Sequence, residues 1–106
     1  MTILLTVLLA PPVFAHPPES IELTYDRATQ ILTIRVNHVS QRNRTHYIRK
    51  ISVYRNDEVV VEDTFPAQEP WGLEHQVKVE TKSGDVLKVK AVCSKAGSEE
   101  ETLAIP

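Results

Sequence analysis

The chain has 106 residues, 42% of them apolar, and sets 12 Lys and Arg against 14 Asp and Glu for a formal net charge of −2. That is one domain's worth of sequence with apolar material for a single core, and it lacks the basic field on which nucleic-acid binding rests. One Cys excludes an intramolecular disulfide and any site built of thiolates alone.

From the N-terminus, residues 1–18 contain no Lys, Arg, Asp or Glu, and Ile3 to Ala10 is almost unbroken apolar sequence. The run is shorter than the ~20 residues of a bilayer-spanning helix, so no membrane span is expected. It fits the apolar region of a secretory signal, followed by Pro11-Pro12 and a small-residue cleavage site at Val13-Phe14-Ala15. Cleavage after Ala15 leaves 16–106 as the mature domain, periplasmic or secreted, with His16 as its first residue. In an oxidising compartment a lone thiol is preserved by burial or by a metal.

Period-two alternation dominates the rest of the chain. Strands are expected over Ser20–Tyr25, Gln30–His38, Tyr47–Tyr54, Glu58–Phe65, Leu73–Glu80 and Val86–Cys93, with a short last one over Thr102–Ile105. Leu32, Ile34, Val36 and His38 share one face, as do Leu73, His75, Val77 and Val79, and again Leu87, Val89, Ala91 and Cys93. Turn chemistry separates these runs at Asp26–Thr29, Asn56-Asp57, Lys82–Asp85 and Ala96–Ser98. About seven short strands at regular spacing predict an all-β fold, an immunoglobulin-like antiparallel β-sandwich.

The chemistry-bearing side chains are His16, His38, His46, His75 and Cys93. His38 closes one predicted strand and His46 opens the next, so their loop can carry both imidazoles to one rim of a sandwich. Cys93 ends a later strand on its apolar face. Imidazole nitrogen with one thiolate suits iron, copper or zinc rather than magnesium or calcium. His75, between Leu73 and Val77, reads as a core or rim residue. Arg42, Arg44, Arg49 and Lys50 crowd the chain beside His46 and can draw an anion inward or simply face water. Trp71, in a turn-rich segment, reads as a packing lid.

The succession His16-Pro17-Pro18, Asn37-His38, Thr45-His46-Tyr47-Ile48 and Cys93 resembles the desulfoferrodoxin and superoxide reductase family across nearly all of 16–106. In that family a mononuclear iron is held by four His in a plane and an axial Cys thiolate on an immunoglobulin-like sandwich. The resemblance implies His16, His38 and His46 as imidazole ligands and Cys93 as the axial thiolate. It implies reduction of superoxide to hydrogen peroxide, with an external electron donor that the sequence does not name. The family pattern runs Cys-x-x-His-Gly, whereas this chain reads Cys93-Ser94-Lys95-Ala96-Gly97, so Ala96 stands where the fourth imidazole belongs. The family's Lys before the first His is replaced by Ala15. A non-catalytic metal-binding or partner-binding module of the cell envelope is therefore the alternative reading. Copper is the alternative metal: a His16 freed by cleavage offers its α-amino group and its imidazole to one ion, and Pro17 supplies no amide N–H to deprotonate beside them. Oligomeric state has no signature in the sequence.

Overall fold

The computed structural model describes residues 16–42 and 44–106. The expected signal, 1–15, lies outside the described residues. Seven strands follow in chain order: β1 (Ser20–Asp26), β2 (Ile31–Asn37), β3 (Ile48–Arg55), β4 (Glu58–Thr64), β5 (Gly72–Lys78), β6 (Val86–Cys93) and β7 (Ser98–Ala104). They form two antiparallel sheets, ordered β1-β2-β5 and β4-β3-β6-β7. Among the described residues no helix is long and apolar enough to cross a membrane.

The alternation read from the sequence decides what lies between the sheets. Leu32, Ile34 and Val36 of β2 face Ile48, Ile51 and Val53 of β3 and Leu87, Val89 and Ala91 of β6, all with 1% exposure or less. Burying each of the larger aliphatic side chains contributes roughly 1.5–3 kcal/mol relative to leaving it in water. Ile48 and Ile51 are an odd number of residues apart, so a regular strand would turn one of them outward. A register shift between Ile48 and Lys50 against β6 absorbs the extra residue, Arg49, and both isoleucines remain inside. This bulge lies two residues from His46.

The turns obey the same local chemistry. Asn56 and Asp57, at φ 52° and 70°, make the two-residue connection of the β3–β4 hairpin, where right-handed strand twist calls for positive φ at both positions. The Asp26 carboxylate accepts from the Ala28 and Thr29 N–H groups and shapes the β1–β2 turn.

One strand differs from expectation. β7 begins at Ser98 rather than Thr102, because its Glu-rich start pairs along β6, Glu100 opposite Lys90 and Glu99 opposite Ala91. An edge strand with charged outward side chains carries no apolar alternation to announce it. At one side of the sandwich β1 packs on β7. At the other, His75 of β5 meets Asp63 of β4 at 2.8 Å and joins the two remaining edges.

Candidate metal centre

Three chain segments converge at the end of the sandwich where β2 stops and β3 starts. His38 directly follows β2, and His46 lies two residues before the start of β3. His46 is carried back by a tight turn in which the Thr45 and His46 N–H groups both donate to the Arg42 carbonyl. His16 lies on the segment leading into β1; the pairing of Glu19 N–H with the Asn37 carbonyl extends the β1–β2 ladder toward it. Gly97, at φ 71°, brings the β6–β7 turn so close to Pro17 that a Cβ there would sit 3.0 Å from the Pro17 Cβ. The His16-Pro17 segment is thus held from both sides.

The three imidazoles form a near-equilateral triangle, with ring centroids 4.8, 4.8 and 4.7 Å apart. One ligating nitrogen from each lies within 4.8 Å of the others. His38 is fully buried and His46 nearly so, while His16 is half-exposed.

The hydrogen bonds around His38 fix its tautomer. Gln68 is buried, and its Oε1 accepts the Ile48 N–H at 2.9 Å while its Nε2 donates to the carbonyls of His38 and Glu69. The amide can therefore face only one way, and the His38 Nδ1, 2.7 Å from the same Oε1, must be the donor. Neutral His38 consequently directs the Nε2 lone pair into the triangle, where it lies 3.1 Å from the His16 carbonyl oxygen. Two lone pairs at that distance call for a cation between or beside them, either a proton or a metal ion. His16 has the same mismatch. Its Nδ1 is 2.9 Å from the Pro17 carbonyl and its Nε2 3.2 Å from that of Val39, and a neutral ring has a single N–H for the two acceptors. His46 Nε2 faces both the backbone nitrogen and the carbonyl of His16 at 3.4 Å. Burial holds the His46 pKa below the ordinary imidazole value; the His16 carbonyl opposes this, and electrostatic repulsion from His38, His16 and Lys95 adds to it. His46 is therefore mainly neutral at pH 7, with a lone pair to give.

The wall behind His38 comes from the segment between β4 and β5. The Trp71 carbonyl accepts the His38 N–H and the Pro70 carbonyl accepts the Ser40 N–H. Gly72, at φ 141°, permits this approach: a Cβ there would fall 2.0 Å from the Val36 carbonyl oxygen and 2.9 Å from the His38 nitrogen. The Trp71 ring lies on the surface under the Arg35 guanidinium, 4.1 Å from its centroid. Nothing in the sequence marked Gln68, which sits in an irregular Pro- and Glu-containing stretch without period or motif.

Of the residues singled out from the sequence, His16, His38 and His46 come together. Cys93 does not belong to the group of mutually close ligand atoms. It pairs with Ile48 in the ladder, points inward with Leu87, Val89 and Ala91, and accepts the Lys95 N–H at its sulfur at 3.4 Å. His75 is apart from the triangle, bound to Asp63 and edge-on to Phe65 with centroids 4.9 Å apart. Outside the triangle opens a cleft of about 590 Å3, lined by His16 and His46 together with Arg42, Lys95, Val39 and Thr45. Its two permanent cations favour small anions.

The superoxide reductase from Nanoarchaeum equitans has a similar structure: TM-score 0.54 and 16% identity, over 92% of this chain and 100% of that one. At this identity the likeness is one of fold. No family profile and no curated protein matches the sequence.

Proposed function

We propose that this chain is an exported metalloprotein of superoxide reductase type, in which His16, His38 and His46 hold one iron ion and Cys93 supplies a thiolate to it. The observation that carries the reading is the imidazole triangle: three rings from three separate segments, with one ligating nitrogen of each within 4.8 Å of the others. Such a donor set fits a first-row transition metal better than a hard cation. The Gln68 amide orients His38 as outer partners orient metal-bound imidazoles elsewhere. The Lys95 N–H donates to the Cys93 sulfur at 3.4 Å.

An iron ion held by these residues would supply the one electron that, with two protons, converts superoxide to hydrogen peroxide, and an external donor would restore it. The chain's own residues bring the anion in and keep the site in order. Arg42 and Lys95 raise the local concentration of a small anion at the cleft mouth. The Gln68 amide holds the His38 ring in place, and burial lowers the His46 pKa and so favours its neutral form. The structural likeness to a superoxide reductase supports the same substrate. Residues 1–15, read as a secretory signal, support an envelope or extracellular location.

A second reading is a metal-holding module without turnover. It is favoured by Ala96, which occupies the place of the fourth imidazole in the family pattern.

Metal content and visible absorption of the purified protein test the proposal. About one iron per chain with a thiolate-to-ferric band lost in Cys93→Ser is expected, together with consumption of superoxide in pulse-radiolysis kinetics. Iron without superoxide consumption selects the module. Equal metal content in the protein and in a His38→Ala, His46→Ala double variant overturns both.

A further inference from the structure

We infer that the α-amino group of His16, released by cleavage after Ala15, is a fourth nitrogen ligand of the imidazole site and turns its preference toward copper(II). The inference rests on the triangle as a metal site, though not on the choice of iron.

The geometry that points to it is the His16 backbone nitrogen, 3.4 Å from His46 Nε2. In the uncleaved chain that nitrogen belongs to an amide, has no basic lone pair, and can only donate its N–H. Hydrolysis of the Ala15–His16 bond by a peptidase of the export machinery adds water across it. The hydroxyl goes to the Ala15 carbonyl carbon, the proton to the His16 nitrogen, and a primary amine remains. That amine stands 3.4 Å from His46 Nε2 and on the same residue as the His16 imidazole, so it adds a donor beside the triangle.

Two further features fit an amine at this position. Pro17 lacks an amide N–H, so a metal cannot be drawn away along the backbone by deprotonating the next peptide nitrogen. The backbone of the His16-Pro17 segment is held by Pro17 packing against Gly97, which lowers the ordering cost of placing the nitrogen. The amine raises the nitrogen donors of the imidazole site to four, and among divalent first-row ions copper(II) binds nitrogen most strongly. For the ring of His16 to join the amine on one ion, it must turn from the Pro17 and Val39 carbonyls, where its bonds are already mismatched.

The test compares two forms of the protein. The full chain is produced through an export pathway and its N-terminus read by mass spectrometry. A second form keeps residues 11–15 ahead of His16, so that all imidazoles are present and the terminal amine is displaced. Both are titrated with copper(II) and with iron(II) against a competing chelator, and the copper forms are examined by electron paramagnetic resonance. The expected result is a chain beginning at His16 that binds one copper(II) about 100-fold or more tightly than the extended form, as a tethered extra ligand provides. The resonance parameters of the two forms should differ. Equal affinity and identical spectra overturn the inference, and so does an exported chain that does not begin at His16. If the extended form binds metal and loses it on His38→Ala, the imidazole site stands even when the amine role fails. If neither form binds metal, both readings fail.

Discussion

At the end of the sandwich opposite the imidazoles, the Asp85 carboxylate is 4% exposed and fully supplied with donors. Asn56 Nδ2 reaches one of its oxygens at 2.9 Å, the Lys82 backbone N–H the other at 2.9 Å, and the Lys82 ammonium completes the set at 3.0 Å. At the imidazole end, His38 is more deeply buried, and its Nε2 looks at a carbonyl oxygen and at two other rings. Both ends place polar groups out of water. The first matches every acceptor to a donor and so fastens the β3–β4 and β5–β6 turns together. The second leaves lone pairs converging, an arrangement that gains stability only when a cation is added. A satisfied polar cluster is a fastening, and a mismatched one marks a place where something binds.

That contrast can be broken by single substitutions. The largest effect belongs to His46→Ala, which removes a ligand and should lower zinc(II) or iron(II) affinity beyond the 10–100-fold typical of losing an outer partner. Asp85→Asn should leave the affinity unchanged in the same competition titration. A metal affinity equally sensitive to both changes would place the site elsewhere.

Gln68→Leu comes next. It strands the Ile48 N–H, the His38 Nδ1–H and the His38 carbonyl in a buried place, and should cost about 3 kcal/mol in a urea unfolding experiment. Metal affinity should fall with it, since the His38 ring loses its fixed tautomer.

Acid separates the two ends by pH window. The His46 pKa is lowered on folding, so the unfolded chain takes up its proton first, and metal-free stability declines as the pH falls below the ordinary imidazole value of 6.5. The Asp85 pKa is also lowered, chiefly by the Asn56 amide and then by the Lys82 N–H and ammonium. Its contribution is complete above the ordinary carboxylate range and is lost only as the pH falls below that range. Urea midpoints measured against pH should show the upper step vanish in His46→Gln and the lower step vanish in Asp85→Asn.

The smallest effect is a gain. Asp57→Gly relieves a side chain held at φ 70° and should add about 0.5–1 kcal/mol, without any change in metal affinity.

The sequence by itself determined the two-layered all-β architecture. Alternating side chains such as Leu32, Ile34 and Val36 are a local signal, and so are turn pairs such as Asn56-Asp57, because strand faces and tight turns are set by residues next to one another in the chain. It also singled out His38 and His46 by type and by their places beside strand ends, and His16 through the family resemblance. Only the tertiary structure decided which of the chemistry-bearing residues meet: the three imidazoles come into one triangle while His75 closes the far edge with Asp63. It alone brought in Gln68, whose amide acts across 30 residues and leaves no mark on its neighbours in sequence. The Gly72 contact with Val36 is of the same kind. The reason is that periodicity records the environment of a backbone segment, whereas the direction of a lone pair depends on hydrogen bonds between segments that only the folded chain brings together.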